Sequence, residues 1–383
     1  MSGGANSDSG RVVGIMRWRP GRPALSGSAR NGIAAAVLMV LAVIFPLVIT
    51  NPVATQIGVD TMLFVAATVA WNLFSGFTGY ISLGHAVFFG TGAYVVGIAA
   101  QDWHITGDME FALLPLAALA AGVVAVPFGL IALRARRHTF VVITIAIFFI
   151  FQLMAFNLAI TGGSVGIPAP FLTWAPETFN NPFYYMALAL AAGVAVLSWL
   201  IRGSRFGLQL RAIRDDEGRA RGLGVRAMHV KLVAFVISGV VTGLVGALWF
   251  FFIGQVLPQY GFDPLFDLSV ALMAFFGGFG TLWGPILGAL ILEPGEQYLT
   301  LQVSNSYASE LVWGSLFLLV ILFLSRGVTH VAGEIATAWR TRRERRQAGP
   351  QPVGASLAAD VAIPRPEPGA LSEEVLDKRA TAD

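Results

Sequence analysis

Charged side chains that could bind a partner protein are concentrated between residues 202 and 231. This stretch, RGSRFGLQLRAIRDDEGRARGLGVRAMHVK, carries seven arginines and a lysine in a chain that is only 12% charged. Its centre predicts a short amphipathic helix, with charged residues on some faces and apolar residues on another. We interpret the stretch as a docking surface for a soluble partner, although a solvated connector whose arginines only fix orientation is the alternative. The candidate contact residues are Arg211, Arg214, Asp215, Asp216 and Glu217.

A glycine-rich apolar segment from Gly76 to Tyr94 carries polar side chains that could line a pathway for a small molecule. It holds five glycines and His85, and glycine loosens a helix and permits close approach of backbones. A histidine inside a membrane needs a hydrogen-bonding partner or a water-filled cavity. We predict that Tyr80, Ser82 and His85 lie near a substrate pathway; the alternative is tight packing, with His85 bonded to a neighbouring backbone.

Two further glycine-rich stretches are candidates for the same pathway. Residues 160–167 (ITGGSVGI) predict an external vestibule or gate, or an ordinary loop. They lack the Lys-Ser/Thr pair of a phosphate-binding loop, which argues against nucleotide binding by this chain. Residues 276–285 (FGGFGTLWGP) break a second apolar region, and paired interrupted segments, here 75–97 and 275–290, mark substrate sites in repeat-built transporters. The additional pathway candidates are Thr161, Gly162, Gly163, Gly277 and Gly278.

The elements that must position these residues are membrane-spanning helices. Hydrophobic residues make up 56% of the 383 residues, and the mean hydropathy is +0.70. About 20 apolar residues cross a bilayer as a helix, and backbone groups in lipid must pair internally. The sequence therefore predicts an all-α, polytopic integral membrane protein with about ten transmembrane helices, including the glycine-broken segments. The predicted crossings are Ile33–Ile49, Ile57–Phe74, Ile81–Ala100, Phe111–Leu133, Thr139–Ile160, Phe183–Ile201, Val230–Ile253, a doubly crossing or re-entrant region Leu265–Thr300, and Ala308–Leu324.

The positions of the positive residues predict the orientation of these crossings. All 25 Lys and Arg residues lie in the N-terminal arm, at 134–137, at 202–231 or after Leu324, and positive residues mark the cytoplasmic side. Both termini are then cytoplasmic. The predicted organisation is a disordered arm at 1–30, a transmembrane domain at 31–326 whose cytoplasmic loop is 202–230, and a basic segment with a disordered tail at 327–383.

Composition excludes or disfavours several classes of function. The chain has no cysteine, which excludes thiolate metal sites, and we expect no catalytic residue, metal or cofactor in it. The net charge of +3 does not indicate nucleic-acid binding, because the basic residues lie at membrane boundaries. A stand-alone channel or an ion-coupled carrier stays an alternative. A carrier would hold charges in mid-membrane, whereas Asp60, Asp267 and Glu293 lie near predicted helix ends or the break, which leaves His85 as the one deep candidate.

Four stretches resemble the membrane-permease subunits of bacterial high-affinity branched-chain amino acid ABC importers, of the LivM type. They are GYISLGHAVFFGTGAY from Gly79, TGGSVGI from Thr161, the pair RFGLQLRAIRDDEGRARGLGV and KLVAFVISGVVTGLVGALW from Arg205 and Lys231, and FFGGFGTLWGPILGAL from Phe275. Together they span residues 79–290 in the order and spacing of the family. The two terminal arms are not covered.

The resemblance implies a role in a larger transporter of the bacterial plasma membrane. Its other parts would be a second permease subunit, two cytoplasmic ATPase subunits that bind ATP and Mg, and a periplasmic or extracellular binding protein. In the family, the segment matching Arg211–Gly224, which includes Ala220, is the coupling loop that docks on an ATPase subunit. Gly218 and Gly222 replace the family's usual larger residues and predict a loosened helix after Glu217. Branched-chain amino acids are the implied cargo, with urea or short amides as alternatives.

Overall fold

The computed structural model describes residues 25–302, apart from 106, 171, 173 and 176–177, together with residues 311, 314 and 315. All of them belong to the first of two compact units, Met1–Gly327. The predicted N-terminal arm up to residue 24, nearly all of the predicted crossing Ala308–Leu324, and the C-terminal basic segment and tail lie outside the described residues. The predicted domain boundaries therefore stay predictions.

The described part of the chain is almost entirely α-helical, which confirms the all-α prediction. Its strand pair joins β1 (Ile167–Pro168) to β2 (Gln255–Val256) in antiparallel register. A π-helical turn, Asn72–Gly76, extends the second helix. The helices are α1 (Leu25–Val48), α2 (Pro52–Trp71), α3 (Ala86–Asp102), α4 (Leu114–Ala132), α5 (Arg137–Asn157), α6 (Asn180–Gly203), α7 (Arg205–Asp215), α8 (Glu217–Gly222), α9 (Ala227–Ile253), α10 (Pro258–Gly261), α11 (Pro264–Gly277) and α12 (Trp283–Gln302).

The helices that are long and apolar enough to cross a membrane differ in how far the rest of the protein covers them. Five such stretches occur among the described residues. Of an 18-residue apolar part of Pro52–Gly76, 89% is buried, whereas the corresponding parts of Gly107–Ala132 and Arg137–Asn157 are 33% and 22% buried. An apolar helix surface left uncovered is suited to hydrocarbon. α2 is therefore the central helix, while α4 and α5 face outward. Five stretches support a multi-pass protein but do not establish the predicted total of about ten.

Helix α9 packs against α3 and α4 through small residues. A Cβ on Gly243 would collide with Ala121, one on Gly246 would collide with the backbone of Phe89, and one on Gly239 would press on Phe88. Helices in lipid gain little from the hydrophobic effect, so close backbone approach supplies the dispersion contacts that hold them together. The glycines of α9 thus form the face that meets α3 and α4.

The two glycine-broken regions form helix breaks. The predicted crossing Ile81–Ala100 is wrong at its start, because α3 begins only at Ala86 and residues 79–85 are irregular. Gly79 has a φ of 73°, a left-handed conformation that a continuing helix cannot contain. In the predicted region Leu265–Thr300, α11 and α12 are separate helices joined by a turn at 278–282. That turn contains Gly280, with a φ of 74°.

Candidate functional site at the charged loop

Helices α7 and α8 make up the charged loop between α6 and α9, and each begins with a side-chain cap. The Ser204 hydroxyl accepts a hydrogen bond from the backbone N–H of Gly207 at 3.2 Å. Asp216 ends α7 and caps α8, since its Oδ1 accepts from the backbone N–H of Arg219 at 3.0 Å. Such caps satisfy backbone donors that the first turn of a helix leaves free. The loop therefore has a defined conformation.

The glycines of the loop have two different places. Gly218 and Gly222 lie inside α8, which spans only Glu217–Gly222, and the loosened helix expected after Glu217 stays a prediction. A Cβ on Gly222 would find nothing within 4 Å, so its surroundings do not require glycine. Gly224 is different: its φ of 87° is the left-handed conformation that ends a helix and favours glycine.

The inner face of the loop is packed into the protein. Leu210 and Ile213 are fully buried and Ala220 is 2% exposed, as expected for an apolar stripe that faces a helix bundle. Arg211 stays within the loop region, where its Nε donates to the carbonyl of Gly207 at 3.3 Å. The loop is thus attached to the bundle along one side.

Arg214 extends from α7 into the junction of the two helix breaks. Its Nη1 donates to the carbonyl of Gly76 at 2.9 Å, and its guanidinium carbon lies 5.2 Å from the centre of the Phe279 ring. Gly280 lies against the same guanidinium, and a Cβ there would collide with it. A planar guanidinium can stack on an aromatic face while it donates hydrogen bonds. Arg214 therefore connects α7 with both broken helices.

The two breaks are also bonded directly to each other. Asn72 Nδ2 donates to the carbonyl of Thr281 at 2.9 Å, and Asn72 Oδ1 accepts from the backbone N–H of Gly280 at 2.8 Å. The Trp71 ring centre lies 6.0 Å from that of Phe279. Because both the oxygen and the nitrogen of the Asn72 amide are hydrogen-bonded to the turn between α11 and α12, the end of α2 has a fixed position relative to that turn.

Glu217, the first residue of α8, is the centre of an ion-pair network. It accepts hydrogen bonds from the Tyr80 hydroxyl and the Arg221 guanidinium, and Lys231 Nζ lies 3.0 Å from its Oε1. Lys231 is 1% exposed, and its Nζ lies 4.2 Å from the centre of the Tyr80 ring. Burial alone would raise the pKa of Glu217, but the bonds from Tyr80, Lys231 and Arg221 outweigh it and lower the pKa below its ordinary value of 4.5. The ionised carboxylate thus ties α8 to the first break and to the start of α9.

The outer face of the loop presents apolar and acidic side chains. Leu208 is 57% exposed and Leu223 is 85% exposed, so the loop offers two apolar side chains that a partner could cover. Asp215 is also exposed and makes no hydrogen bond or ion pair within the described residues. Asp216 pairs with Arg219 at 3.1 Å. Leu223 was not among the predicted contact residues, although a single leucine between two glycines in a charged loop is a signal for such a role.

The predicted pathway residues Ser82 and His85 are enclosed by the bundle. His85 is 1% exposed, and its ring nitrogens lie 3.1 Å from Ser82 Oγ and 2.7 Å from Ser238 Oγ. The rings of Phe88 and Phe235 lie edge-on to the imidazole. The hydrogen bonds of the imidazole are satisfied by hydroxyl groups in an apolar surrounding, which matches the packing alternative more closely than the pathway interpretation.

A buried carboxylate occupies the N-terminus of α3. Asp267 Oδ1, from α11, accepts from the backbone N–H of His85 at 2.9 Å and of Ala86 at 3.2 Å. The N-terminus of a helix carries partial positive charge and free N–H groups, so an anion is stabilised there. Asp267 fills the place that an anionic group of a substrate takes in some transporters with broken helices. Asp267 is only 2% exposed and lies beside His85, at the same depth in the bundle. The expectation that His85 was the one deep polar candidate is therefore wrong.

The remaining pathway candidates lie in turns and at a helix contact. The Thr161 hydroxyl donates to two carbonyls near the end of α5, at 2.6 and 2.7 Å. Gly162 and Gly163 have φ values of 72° and 56°, conformations that glycine adopts readily. Gly277 and Gly278 lie at the end of α11, where a Cβ on Gly277 would collide with the backbone of α12. These glycines are required by local geometry.

An apolar groove of about 830 Å³ opens between α1, α2, α6 and α12. Its lining includes Phe45, Met62, Leu188 and Ile286. None of the eight predicted pathway residues, all of which are described, lies in its lining. A route for a substrate along this groove would therefore use residues that the glycine motifs did not indicate.

Outward-facing apolar helices, a central broken pair and a charged loop packed on their junction define a multi-pass membrane protein with interrupted helices. The chain belongs to the family of branched-chain amino acid transport system permease components, whose family model matches residues 53–325. This confirms the resemblance identified in the sequence.

The chain is similar to individual permeases of this group. It is 28% identical over 337 residues to the high-affinity branched-chain amino acid transport system permease protein LivM of Escherichia coli (strain K12), covering 80% of this chain and 77% of the relative. The LivM protein of Salmonella typhimurium matches to the same extent. The autoinducer 2 import system permease protein LsrC of Yersinia pseudotuberculosis is 27% identical over 308 residues, covering 78% of this chain and 85% of the relative. No solved structure matches the chain.

Proposed function

We propose that this chain is the permease subunit of an ATP-binding-cassette importer that moves branched-chain amino acids across the plasma membrane. The family and the similarity to LivM proteins support this cargo. ATP and Mg bind to two partner ATPase subunits, and this chain contributes movement rather than bond-breaking chemistry. A second permease subunit completes the membrane part, and a binding protein delivers the substrate from outside.

The observation that carries the proposal is the double contact of Arg214 with Gly76 and Phe279. One side chain of the loop is bonded to the first helix break and stacked on the second. A displacement of α7 would therefore move the end of α2 and the turn between α11 and α12 together. A loop that served only as a solvated connector would have no need of this contact.

The two faces of the loop suggest how ATP hydrolysis is coupled to transport. The outer face, with Leu208, Asp215 and Leu223, docks in a pocket of an ATPase subunit. Closure of the ATPase pair moves this pocket, and the inner face, with Arg214 and Glu217, passes the motion to the helix breaks. Rigid helices that shift about such contacts alternate the opening of a bundle between its two sides.

The charge distribution supports a cytoplasmic position for the loop and for both termini. The Lys and Arg residues lie in this loop, at 134–137 and in the two arms, and positive residues collect on the cytoplasmic side. The ATPase subunits would then meet the loop in the compartment that contains ATP.

The cargo is tested by reconstituting the chain with its partner subunits and binding protein in proteoliposomes. We expect leucine to accumulate only when ATP is present on the side of the charged loop, with competition from isoleucine and valine. Urea and acetamide are the matched competitors, because urea and short amides are the alternative cargo. Accumulation without ATP, or competition by urea as strong as that by valine, would contradict the proposal.

A further inference from the structure

A basic pocket of about 620 Å³ lies where helix α6 ends and the charged loop begins. Its lining includes Trp199, Arg202, Arg211 and Trp283, and no acidic side chain among the described residues contributes to it. Both arginines are exposed. Because arginine stays charged at physiological pH, the pocket presents two positive charges without a negative one.

The two arginines of the basic pocket keep most of their hydrogen-bond donors free. Arg211 donates from Nε to the carbonyl of Gly207 at 3.3 Å and from Nη2 to the carbonyl of Arg202 at 3.2 Å. Within the described part of the chain, the Arg202 guanidinium makes no hydrogen bond, and neither arginine takes part in an ion pair. A guanidinium offers five N–H donors in a planar fork that matches a phosphate. The pair is therefore suited to an anion with several acceptor oxygens.

The apolar groove between α1, α2, α6 and α12 continues from the basic pocket. Trp199, Leu282 and Trp283 line both spaces, and the described lining of the groove contains no charged residue. On α6 this lining extends from Tyr184 to Trp199, which corresponds to roughly 22 Å of helix. One leaflet is about 15 Å deep, half of a hydrocarbon core roughly 30 Å thick. The groove is therefore long enough for a whole acyl chain.

We propose that the basic pocket and the apolar groove together bind one anionic phospholipid, with its phosphate at Arg202 and Arg211 and an acyl chain along α6. Basic pockets between membrane helices on the cytoplasmic side are typical sites for acidic lipid headgroups. Tryptophan is enriched where hydrocarbon meets water, and Trp199, which is 61% exposed, lies one turn before Arg202. The inference rests on the proposed function only for the cytoplasmic position of the loop.

The continuous pocket and groove fit a lipid better than they fit the transported amino acid or a free phosphate. A free amino acid carries an ammonium group and a carboxylate, and the groove lining offers a counter-charge to neither, so its burial there would be costly. A free phosphate would use the arginines but leave the groove empty. A molecule with an anionic head and a hydrocarbon tail uses both spaces, and its chain would contact the exposed side chains of Val196 and Trp199.

A lipid in this position would attach the joint between α6 and α7 to the cytoplasmic leaflet. Arg211, predicted from the sequence as a partner contact, would bind the lipid instead. The exposed Asp215 and Leu223, which do not line the pocket, would be left for the ATPase subunit. The two ends of the charged loop would then have different neighbours, the membrane at α6 and the ATPase at α8.

The headgroup site is tested by native mass spectrometry of the full-length chain, purified with the subunits that accompany it. Phosphatidylglycerol and phosphatidylcholine with identical acyl chains are added in turn. We expect phosphatidylglycerol to bind at least about tenfold more tightly, because its net negative charge strengthens the bonds from the arginines. The double variant Arg202→Gln, Arg211→Gln should lose this preference. Arg205→Gln is the matched control, since Arg205 is exposed in the same loop but does not line the pocket, and it should keep the preference.

The groove is tested by a substitution that fills it without a change of charge. Ala195 lines the groove, and Ala195→Phe should weaken phosphatidylglycerol binding at least about tenfold, because the ring takes the place of part of the acyl chain. Ala189→Phe makes the same change at an exposed position of α6 outside the lining, and it should leave binding unchanged. The melting temperature of each variant shows that it is folded.

Four results would overturn the proposal. They are equal binding of the two lipids, an unchanged preference in the double arginine variant, equal binding by the Ala195 and Ala189 variants, and displacement of the lipid by an equal concentration of glycerol 1-phosphate, which would indicate a phosphate site without a lipid tail. An intact complex that binds no phosphatidylglycerol would also overturn it and would indicate that a protein segment covers the groove. Because lipid binding is measured without transport, its failure would leave the proposed cargo intact.

Discussion

Arg214 and Asp215 are adjacent in the chain but have opposite surroundings. The Arg214 guanidinium is bonded to Gly76 and stacked on Phe279, whereas Asp215 is exposed. Glu217 again faces inward, toward Tyr80 and Lys231. Residues that appear in the sequence as one charged cluster therefore separate into a set that holds the loop to the bundle and a set that is available to a partner.

Substitution of Arg214 is expected to uncouple transport from ATP hydrolysis without releasing the partner subunits. In Arg214→Ala the contact with both breaks is lost, and in Arg214→Lys the charge stays but the planar stack on Phe279 is lost. We expect ATP-driven uptake to fall at least about tenfold in both variants, because a cation–π contact and a charge-assisted hydrogen bond are involved. Uptake and co-purification of the ATPase subunits are measured together.

Arg219→Ala is the control for this prediction. Arg219 lies one turn along the same loop, and its side chain is 87% exposed and paired with Asp216. Exposed pairs of this kind contribute little, so uptake should stay close to normal. If Arg214→Ala and Arg219→Ala had equal effects, the contact of Arg214 with the breaks would have no role in coupling.

At the scale of the elements, the sequence indicated where helices break but not what the breaks contact. The glycine-rich stretches predicted interruptions in the segments 75–97 and 275–290, and the charged loop was predicted to contain an amphipathic helix. The structure confirms both, with breaks at Gly79 and Gly280 and with Leu210 and Ile213 buried on one face of α7. The contact of Arg214 with Gly76 joins residues 138 positions apart, and no local pattern encodes such a contact. For the same reason the sequence could not indicate that Tyr80 meets Glu217 or that Asp267 caps α3.

The contact between α3 and α9 gives a prediction about stability. Gly246→Ala places a Cβ against the backbone of Phe89, and a rigid backbone cannot move aside as a flexible side chain can. We expect a loss of about 1–3 kcal/mol in the free energy of unfolding, the usual cost of overpacking. The measurement is the melting temperature of the full-length chain in detergent.

Gly193→Ala is the matched control, since it is the same substitution in the membrane helix α6. A Cβ there would find nothing within 4 Å, and alanine is a better helix former than glycine. The melting temperature should be unchanged or slightly higher. A loss at Gly193 as large as that at Gly246 would show that close packing of α3 on α9 is not the cause.

At the scale of the whole molecule, a single loop contacts the ends of the helices that could carry the substrate. The inner face of the loop meets α2, α9 and the turn between α11 and α12, and α2 and α12 also border the apolar groove. On the proposed function, the outer face of the loop receives the motion of an ATPase subunit, and the inner face transmits it to the broken helices. The central claim is that these two faces have separable roles.

The most direct test of this claim is co-purification of the partner ATPase subunits with a variant of the outer face. The double variant Asp215→Arg, Leu223→Asp reverses the free charge and removes the exposed apolar side chain, but leaves Arg214 and Glu217 in place. We predict that this variant inserts and melts normally yet loses the ATPase subunits, whereas Arg214→Ala retains them and fails in uptake. Unchanged recovery of the ATPase subunits with the double variant, or their loss with a folded Arg214→Ala variant, would contradict the account.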